Sequence, residues 1–336
     1  MSSRRSIFSL SFRTPVMAGV LSFGFLSLVA CDDNTATPDW NESASISTFQ
    51  AGVAASDSNK ATARVPGLRF MAYNLENWLT MSRNGKPSTK PEKEKTAAIR
   101  LIVEQCPDVL GVCEIGDTKD VAQLQSRLKE SGWEMKHLAY DADSHALRRL
   151  ALLSRYPVVA VTHPRVNAYQ MNGRSWRMSR PMLDATVERE GCAYRFVGVH
   201  LKSKREVRGA DQEQIRIQEA MLVRRHVDDI LEADPDVRLI AYGDFNDSRN
   251  STALRKIAGQ YGSPTYMTAI PCADSRGHRW THHWEYQDIY SRFDYVFVSK
   301  GLKPEVDVRA SYLVDDASWE LASDHRALLT IFKSSK

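Results

Sequence analysis

The stretch Leu239-Ile-Ala-Tyr-Gly-Asp-Phe-Asn-Asp247 joins an apolar run to a carboxylate and an amide. Leu239 to Tyr242 has the composition of a buried β-strand, and Gly243 ends it. In extended chain, side chains two residues apart point the same way, so Asp244 and Asn246 are expected side by side at the open end of that strand. Phe245 between them is expected to turn back into the core. α/β proteins place their chemistry at strand ends of this kind. Taken alone, the stretch fits an ordinary strand closing in a polar turn equally well. Its weight comes from recurrence. Asn74 and Glu76 close the apolar run Leu68–Glu76, Glu114 sits near the end of Asp108–Ile115, and His200 follows Ala193–Val199. Asp294 opens the run ending at Val298, and Asp324-His325 precede Ala327–Phe332. A glutamate inside a run as apolar as Val-Leu-Gly-Val-Cys-Glu-Ile costs free energy unless it is paired or bound to a metal.

The elements that must position these groups follow from periodicity. Ile99, Ile102, Val103 and Cys106 repeat at helical spacing, so a helix is expected from Pro91 until Pro107 stops it. Val121, Leu124 and Leu128 mark a second helix, residues 211 to 232 a long amphipathic one, and Ser251 to Ile257 a short one. Further strands are expected at 133–139, at 150–159 with a break at Pro157, at 182–187, at 193–199 and at 308–314. Glu188 to Gly191 is a hairpin turn. Residues 163 to 178 and Thr281-His-His-Trp284 read as loop and rim. Strands alternating with a few helices, some joined as hairpins, predict a mixed sheet pair flanked by helices rather than one parallel sheet.

Composition sets bounds on partners. The formal net charge is +4, and the first 31 residues hold Arg4, Arg5 and Arg13 with no acids. The remainder therefore has 42 basic and 41 acidic residues, a balance of +1. A strongly basic nucleic-acid footprint is absent from the bulk composition. Arginines followed by the apolar stretch Val16–Ala30 form a targeting segment too short for a membrane span. It ends in Leu28-Val-Ala-Cys31, which resembles a bacterial lipobox; that resemblance implies cleavage before Cys31 and lipid on its sulfur. An ordinary signal peptide or an anchor helix is the alternative. Residues 32 to 66, rich in Ser, Ala, Thr, Asn and Asp, read as a disordered tether. The remaining cysteines, 106, 113, 192 and 272, fit either disulfides of an exported protein or buried thiols, and their spacing does not suggest zinc.

Together the motifs Tyr73-Asn-Leu-Glu76, Val112-Cys-Glu-Ile115, Val199-His-Leu-Lys-Ser203, Gly243-Asp-Phe-Asn246, Phe293-Asp-Tyr-Val296 and Ser323-Asp-His325 resemble, in this order, the endonuclease/exonuclease/phosphatase superfamily, the DNase I-like fold. The resemblance covers roughly residues 67 to 334. It implies an α/β (α+β) four-layer sandwich, with two mixed β-sheets packed face to face under outer helices. It also implies a metal-dependent phosphoesterase using Mg2+, with Mn2+ or Ca2+ as substitutes. A hard cation on carboxylate and amide oxygens neutralises charge on an anionic phosphodiester. Glu114 is the first expected ligand, assisted by Asn74, Glu76, Asp294 or Asp324. His325 is expected to be the general base or to orient the water, its tautomer fixed by Asp324 or Asp294. Asp244 and Asn246 would position water and a phosphate oxygen. His200 would donate to a phosphate oxygen or protonate the leaving group.

Other polar residues have two readings each. Lys202, Lys204 and Arg205 form a solvated charge run or, beside His200, bind a substrate phosphate. Arg180 is a phosphate contact or a cap on the fold. His282 and His283 read as substrate rim in preference to metal ligands. The expected substrate is nucleic acid or another phosphodiester, reached by a monomer exported and lipid-anchored through Cys31. The competing reading is a phosphatase or phospholipase-type esterase for inositol phosphates or phospholipids, with Trp78, Trp176, Trp280 and Trp284 as an apolar rim or as base-stacking platforms. A non-catalytic binding lipoprotein is a third reading. It conflicts with the retention of every polar residue in the set.

Overall fold

The computed structural model describes residues 67–83, 85–141, 144–164 and 167–334. The targeting segment, Cys31 and the tether at 32–66 lie outside the described residues. Two six-stranded mixed sheets form the centre. From one edge, the first runs Tyr312–Leu313, Leu328–Lys333, Gly67–Trp78, Val109–Ile115, Arg149–Ser154 and His137–Tyr140. The second runs Thr268–Ala269, Asp294–Val298, Arg238–Asp244, Cys192–His200, Leu183–Arg189 and Val158–Thr162. Each sheet has one parallel pair at its middle, Gly67–Trp78 with Val109–Ile115 and Cys192–His200 with Arg238–Asp244. The other pairings within both sheets are antiparallel.

Alternation along the strands builds the layers. Leu68, Phe70 and Ala72 point between the sheets and meet Phe196, Ile240 and Tyr242 from the other side. Met71 and Tyr73 point outward, to the helices Glu92–Gln105 and Thr118–Glu130. Val197, Val199, Leu239 and Ala241 face the helices Gln212–Ala233 and Thr252–Ala258. Strands buried on both faces must be apolar on both, which is why these runs are nearly continuous in the sequence. The result is helix, sheet, sheet, helix.

Some elements differ from expectation. The strand expected at 308–314 shrinks to Tyr312–Leu313 at a sheet edge. The one expected from Trp133 starts at His137, because the Trp133 indole turns away to donate to Pro107 O at 2.8 Å. Residues 163–178 hold the hairpin Ala168–Met171 with Arg174–Arg177, and His282–Trp284 is a strand paired with Ile289–Ser291. The first hairpin sends only Tyr169, with Met171 and Trp176 beside it, into the core, and the second is a largely exposed ribbon, so no sustained buried period announced either. Cys106 caps its helix in left-handed geometry (φ 48°) instead of lying on its face. Among the described residues, Cys106, Cys113, Cys192 and Cys272 form no disulfide. Trp78 is fully buried and is no part of any rim.

Candidate active site

The parallel pairs decide where the polar groups meet. Parallel neighbours end on the same side of a sheet, and an antiparallel neighbour begins there. Asn74 and Glu114 therefore stand at the ends of the first pair, and His200 and Asp244 at the ends of the second. Asp294 begins an antiparallel neighbour and Asp324-His325 lead into another. In the second sheet His200, Asp244 and Asp294 form one cross-strand row.

Local backbone departs from regular strand where the side chains turn inward. Glu76, Asn77, Glu114 and Asn246 all have positive φ (45°, 58°, 61° and 51°), conformations that non-glycine residues adopt only under constraint from their surroundings. Pairing of the first sheet shifts register between Asn74 and Trp78, a bulge that re-aims the residues within it. Asp244 and Asn246 are thus not neighbours on one extended face. A left-handed turn brings them together, so that Asn246 donates from its backbone N to Asp244 Oδ1 at 2.8 Å and from Nδ2 to Oδ2 at 3.1 Å. Gly243 precedes them at φ 128°, where an added Cβ would lie 2.0 Å from Val199 O. Only glycine fits there. Phe245 turns into the core, as expected, against Tyr295 and Phe297.

The imidazole of His325 is held from both sides. Its Nδ1 lies 2.7 Å from Asp294 Oδ2, and its Nε2 stands 3.8 Å from Asp244 Oδ2 and 3.9 Å from Asp324 Oδ1. Ser323 fixes the backbone beneath it, accepting from His325 N at 3.0 Å and donating to Asn74 O at 2.8 Å. Burial alone would lower the pKa of His325, but Asp294, Asp324 and Asp244 outweigh it and hold it well above 6.5. Between the short contact to Asp294 and the long one to Asp324, Asp294 is the partner that orients the ring. Asn74 bridges the sheets, its Nδ2 donating to Asp244 Oδ2 at 3.1 Å and lying 3.4 Å from His325 Nε2.

His200 has the opposite charge state. It is buried, and desolvation, reinforced by Arg180, keeps its pKa well below 6.5. Its Nε2 faces two carboxylates, Asp244 Oδ2 at 3.5 Å and Glu114 Oε1 at 3.8 Å. A neutral imidazole facing carboxylates carries its proton on that nitrogen, so Nε2–H points into the site. Burial raises the pKa of Asp244 as well, with Asp294 and Glu114 adding repulsion. Asp324 rises to about 6, first because the surrounding protein desolvates its carboxylate and then because Glu76 and Glu114 lie near.

Three expected residues stand back from this group. Glu76 is turned towards Lys90, whose Nζ donates to Glu76 O at 3.1 Å and to Oε2 at 3.4 Å. Lys202 curls onto its own loop, its Nζ donating to Ser203 O and Arg205 O, each at 2.8 Å. Arg180 donates to Leu201 O at 3.3 Å, the carbonyl that also accepts from Asn246 Nδ2 at 3.0 Å, and so flanks the His200 end. The structure also adds residues with no sequence signal. Arg148 donates from Nε to Asn77 Oδ1 at 2.7 Å and to Glu114 Oε2 at 3.3 Å. Asn77 N–H donates to the same Glu114 oxygen at 3.0 Å. Neither residue belongs to a motif; the bulge in Gly67–Trp78 places Asn77, and the bend before Arg149–Ser154 places Arg148.

The donor set suits a hard divalent cation. Glu114, Asp244, Asp294 and Asp324 crowd one cleft, and the pKa values of Asp244 and Asp324 are raised there, first by burial and then by repulsion from neighbouring carboxylates. Glu114 Oε1 accepts no hydrogen bond among the described residues, and the Asn74 amide oxygen accepts only Glu76 N, at 3.0 Å. Carboxylate and amide oxygens of this kind bind magnesium-like ions.

The sequence profile of the Endonuclease/Exonuclease/phosphatase family matches residues 70–319. The chain belongs to this family. Its members hydrolyse phosphoesters and generally use divalent metals. No curated protein matches the chain. Among solved structures, the human Nocturnin catalytic domain with bound sulfate anion is 18% identical at TM-score 0.55, covering 81% of this chain and 96% of that one. Beta toxin from Staphylococcus aureus is 15% identical at TM-score 0.58, with 80% and 100% covered. Sphingomyelinase C from Streptomyces griseocarneus is 14% identical at TM-score 0.55, with 80% and 100% covered. At these identities the likeness establishes the fold, the DNase I-like sandwich.

Proposed function

We propose that this family member is a magnesium-dependent phosphodiesterase, acting on nucleic acid outside the cytoplasm as a monomer anchored by lipid on Cys31. The observation that carries the catalytic reading is the Asp294–His325 pair at 2.7 Å, set across a cleft from neutral His200 and beside Asp244. Glu114 and Asn74 would hold the cation, which supplies charge neutralisation at the phosphate. A cation held there would offset the carboxylates that raise the pKa of His325 and so favour its neutral form; Asp294 then accepts from Nδ1–H and leaves Nε2 to take a proton from the attacking water. Asp244 and the Asn246 amide orient that water. His200 Nε2–H donates to a phosphate oxygen; because the ring is neutral, this role suits it better than protonating the leaving group. Arg148 and Arg180 flank the two ends of the site and offer guanidinium groups to phosphate oxygens.

One observation favours the phospholipid or inositol-phosphate reading. The hairpin that carries His282 displays Trp284, Tyr286, Ile289 and Tyr290 to solvent. An exposed aromatic tip suits an apolar substrate as well as stacked bases. The experiment uses the full chain in detergent with supercoiled plasmid and magnesium, an EDTA control and the His325→Ala variant. Metal-dependent nicking absent from the variant supports the nuclease. No nicking, with hydrolysis of phospholipid or inositol phosphate instead, moves the assignment to the second reading.

A further inference from the structure

His282 takes no part in the chemistry above, yet the fold pins it beside His325. The backbones of the two residues form an antiparallel bridge. On either side of it, Arg326 N–H donates to Thr281 O at 2.6 Å and His283 N–H to Asp324 O at 3.0 Å. The two imidazole centroids are 4.7 Å apart, and the His282 ring stacks on Phe293 at 5.2 Å. Among the described residues, neither nitrogen of His282 has a hydrogen-bond partner. Nδ1 is buried without a partner, and Nε2 stands 3.8 Å from Asp324 Oδ2, too far for one. An imidazole held this firmly, with one buried nitrogen unsatisfied and the other facing a carboxylate beyond hydrogen-bond reach, needs a reason.

Asp324 lies between the two rings. One carboxylate oxygen is 3.8 Å from His282 Nε2 and the other 3.9 Å from His325 Nε2. A donor atom from each of the three residues falls within 4.8 Å of the others. A tetrahedral zinc with bonds of about 2.1 Å spaces its ligands by roughly 3.4 Å, so closure needs shifts of about an ångström or less. Asp294 already binds the far nitrogen of His325 at 2.7 Å, the arrangement that orients a metal-ligating imidazole. Two imidazoles and one carboxylate select zinc over magnesium, which prefers an all-oxygen shell.

We propose that His282, Asp324 and His325 form a zinc site, different in donor type from the oxygen-rich position at Glu114, and that zinc bound there silences hydrolysis by occupying His325 Nε2. The binding half stands on geometry alone. The inhibitory half rests on the catalytic reading of His325.

The test titrates zinc into the metal-free full chain in detergent, by calorimetry in millimolar magnesium, and follows cobalt binding by its visible absorption. Wild type is expected to take up one zinc that magnesium does not displace. His282→Ala and His282→Gln, checked for native circular dichroism, are expected to bind it about 100-fold more weakly and to lose the tetrahedral cobalt spectrum. The zinc concentration that halves hydrolysis is expected to rise about 100-fold in His282→Gln. No zinc uptake in magnesium, or equal uptake by folded His282→Gln, overturns the site. Tight binding without inhibition overturns the silencing. A chain that hydrolyses no phosphoester but loses zinc with His282→Gln keeps the site and removes the catalytic reading.

Discussion

Asp294→Asn is the most informative single change at this site. The substitution keeps the size and position of a side chain that is 3% exposed and 2.7 Å from His325 Nδ1. It changes the hydrogen bond. An amide can donate to Nδ1 through its NH2, which places the imidazole proton on Nε2, the atom proposed to accept a proton from water. Loss of the orienting carboxylate behind a catalytic histidine costs about 10,000-fold in the serine proteases. Here Asp244 and Asp324, at 3.8 and 3.9 Å from Nε2, also stabilise the imidazolium that proton abstraction would produce. The expected loss is therefore smaller, about 1,000-fold in kcat, or about 4 kcal/mol of transition-state stabilisation. The assay is steady-state hydrolysis of a chromogenic phosphodiester in saturating magnesium, with KM expected to change little. Because Asp294 helps raise the pKa of His325, the acid limb of residual kcat/KM should also move to lower pH. A folded variant that keeps more than about a tenth of wild-type kcat would refute the assignment of His325 and Asp294 as a base pair.

Four further outcomes follow from the same structure. Glu114→Gln should raise the magnesium concentration needed for half-maximal activity by about tenfold or more, measured by magnesium titration of initial rates. Gly111→Ala should cost about 3 kcal/mol in chemical denaturation, because its Cβ would sit 2.1 Å from Tyr242 Cε2. Tyr242→Phe should fall within about 1 kcal/mol of wild type, since it removes a buried hydroxyl with no hydrogen-bond partner among the described residues. Burial works against ionisation of Asp184, but His226 at 2.8 Å and Arg195 at 2.6 Å outweigh it and hold its pKa below 3.8. A depressed carboxylate stabilises the fold above its unfolded pKa and loses that stabilisation as pH falls through its folded one. Wild type should therefore exceed Asp184→Asn by about 2 kcal/mol at pH 7, and the gap should close below about pH 4.

The sequence by itself determined the sandwich and most of the site. Continuous apolar runs at 68–76, 108–115, 193–199 and 239–242 had to be strands buried on both faces, and long helices at 91–106 and 211–232 had to cover them. A polar residue at the end of such a run has one place to go, the rim of the sheets, so Asn74, Glu114, His200, Asp244, Asp294 and His325 were all legible. The tertiary structure decided what these residues do to one another. Asp294 and His325 are 31 residues apart, and only the docking of the last strand across Gly67–Trp78 sets them at 2.7 Å. The same packing raises the pKa of one histidine and lowers that of the other, because the shift follows the surrounding carboxylates and burial, and neither is written in a residue's neighbours along the chain. Arg148, Asn77 and His282 enter for that reason too: a bend, a strand bulge and an exposed hairpin have no apolar period to read, and their side chains meet the other site residues only once both sheets are in place.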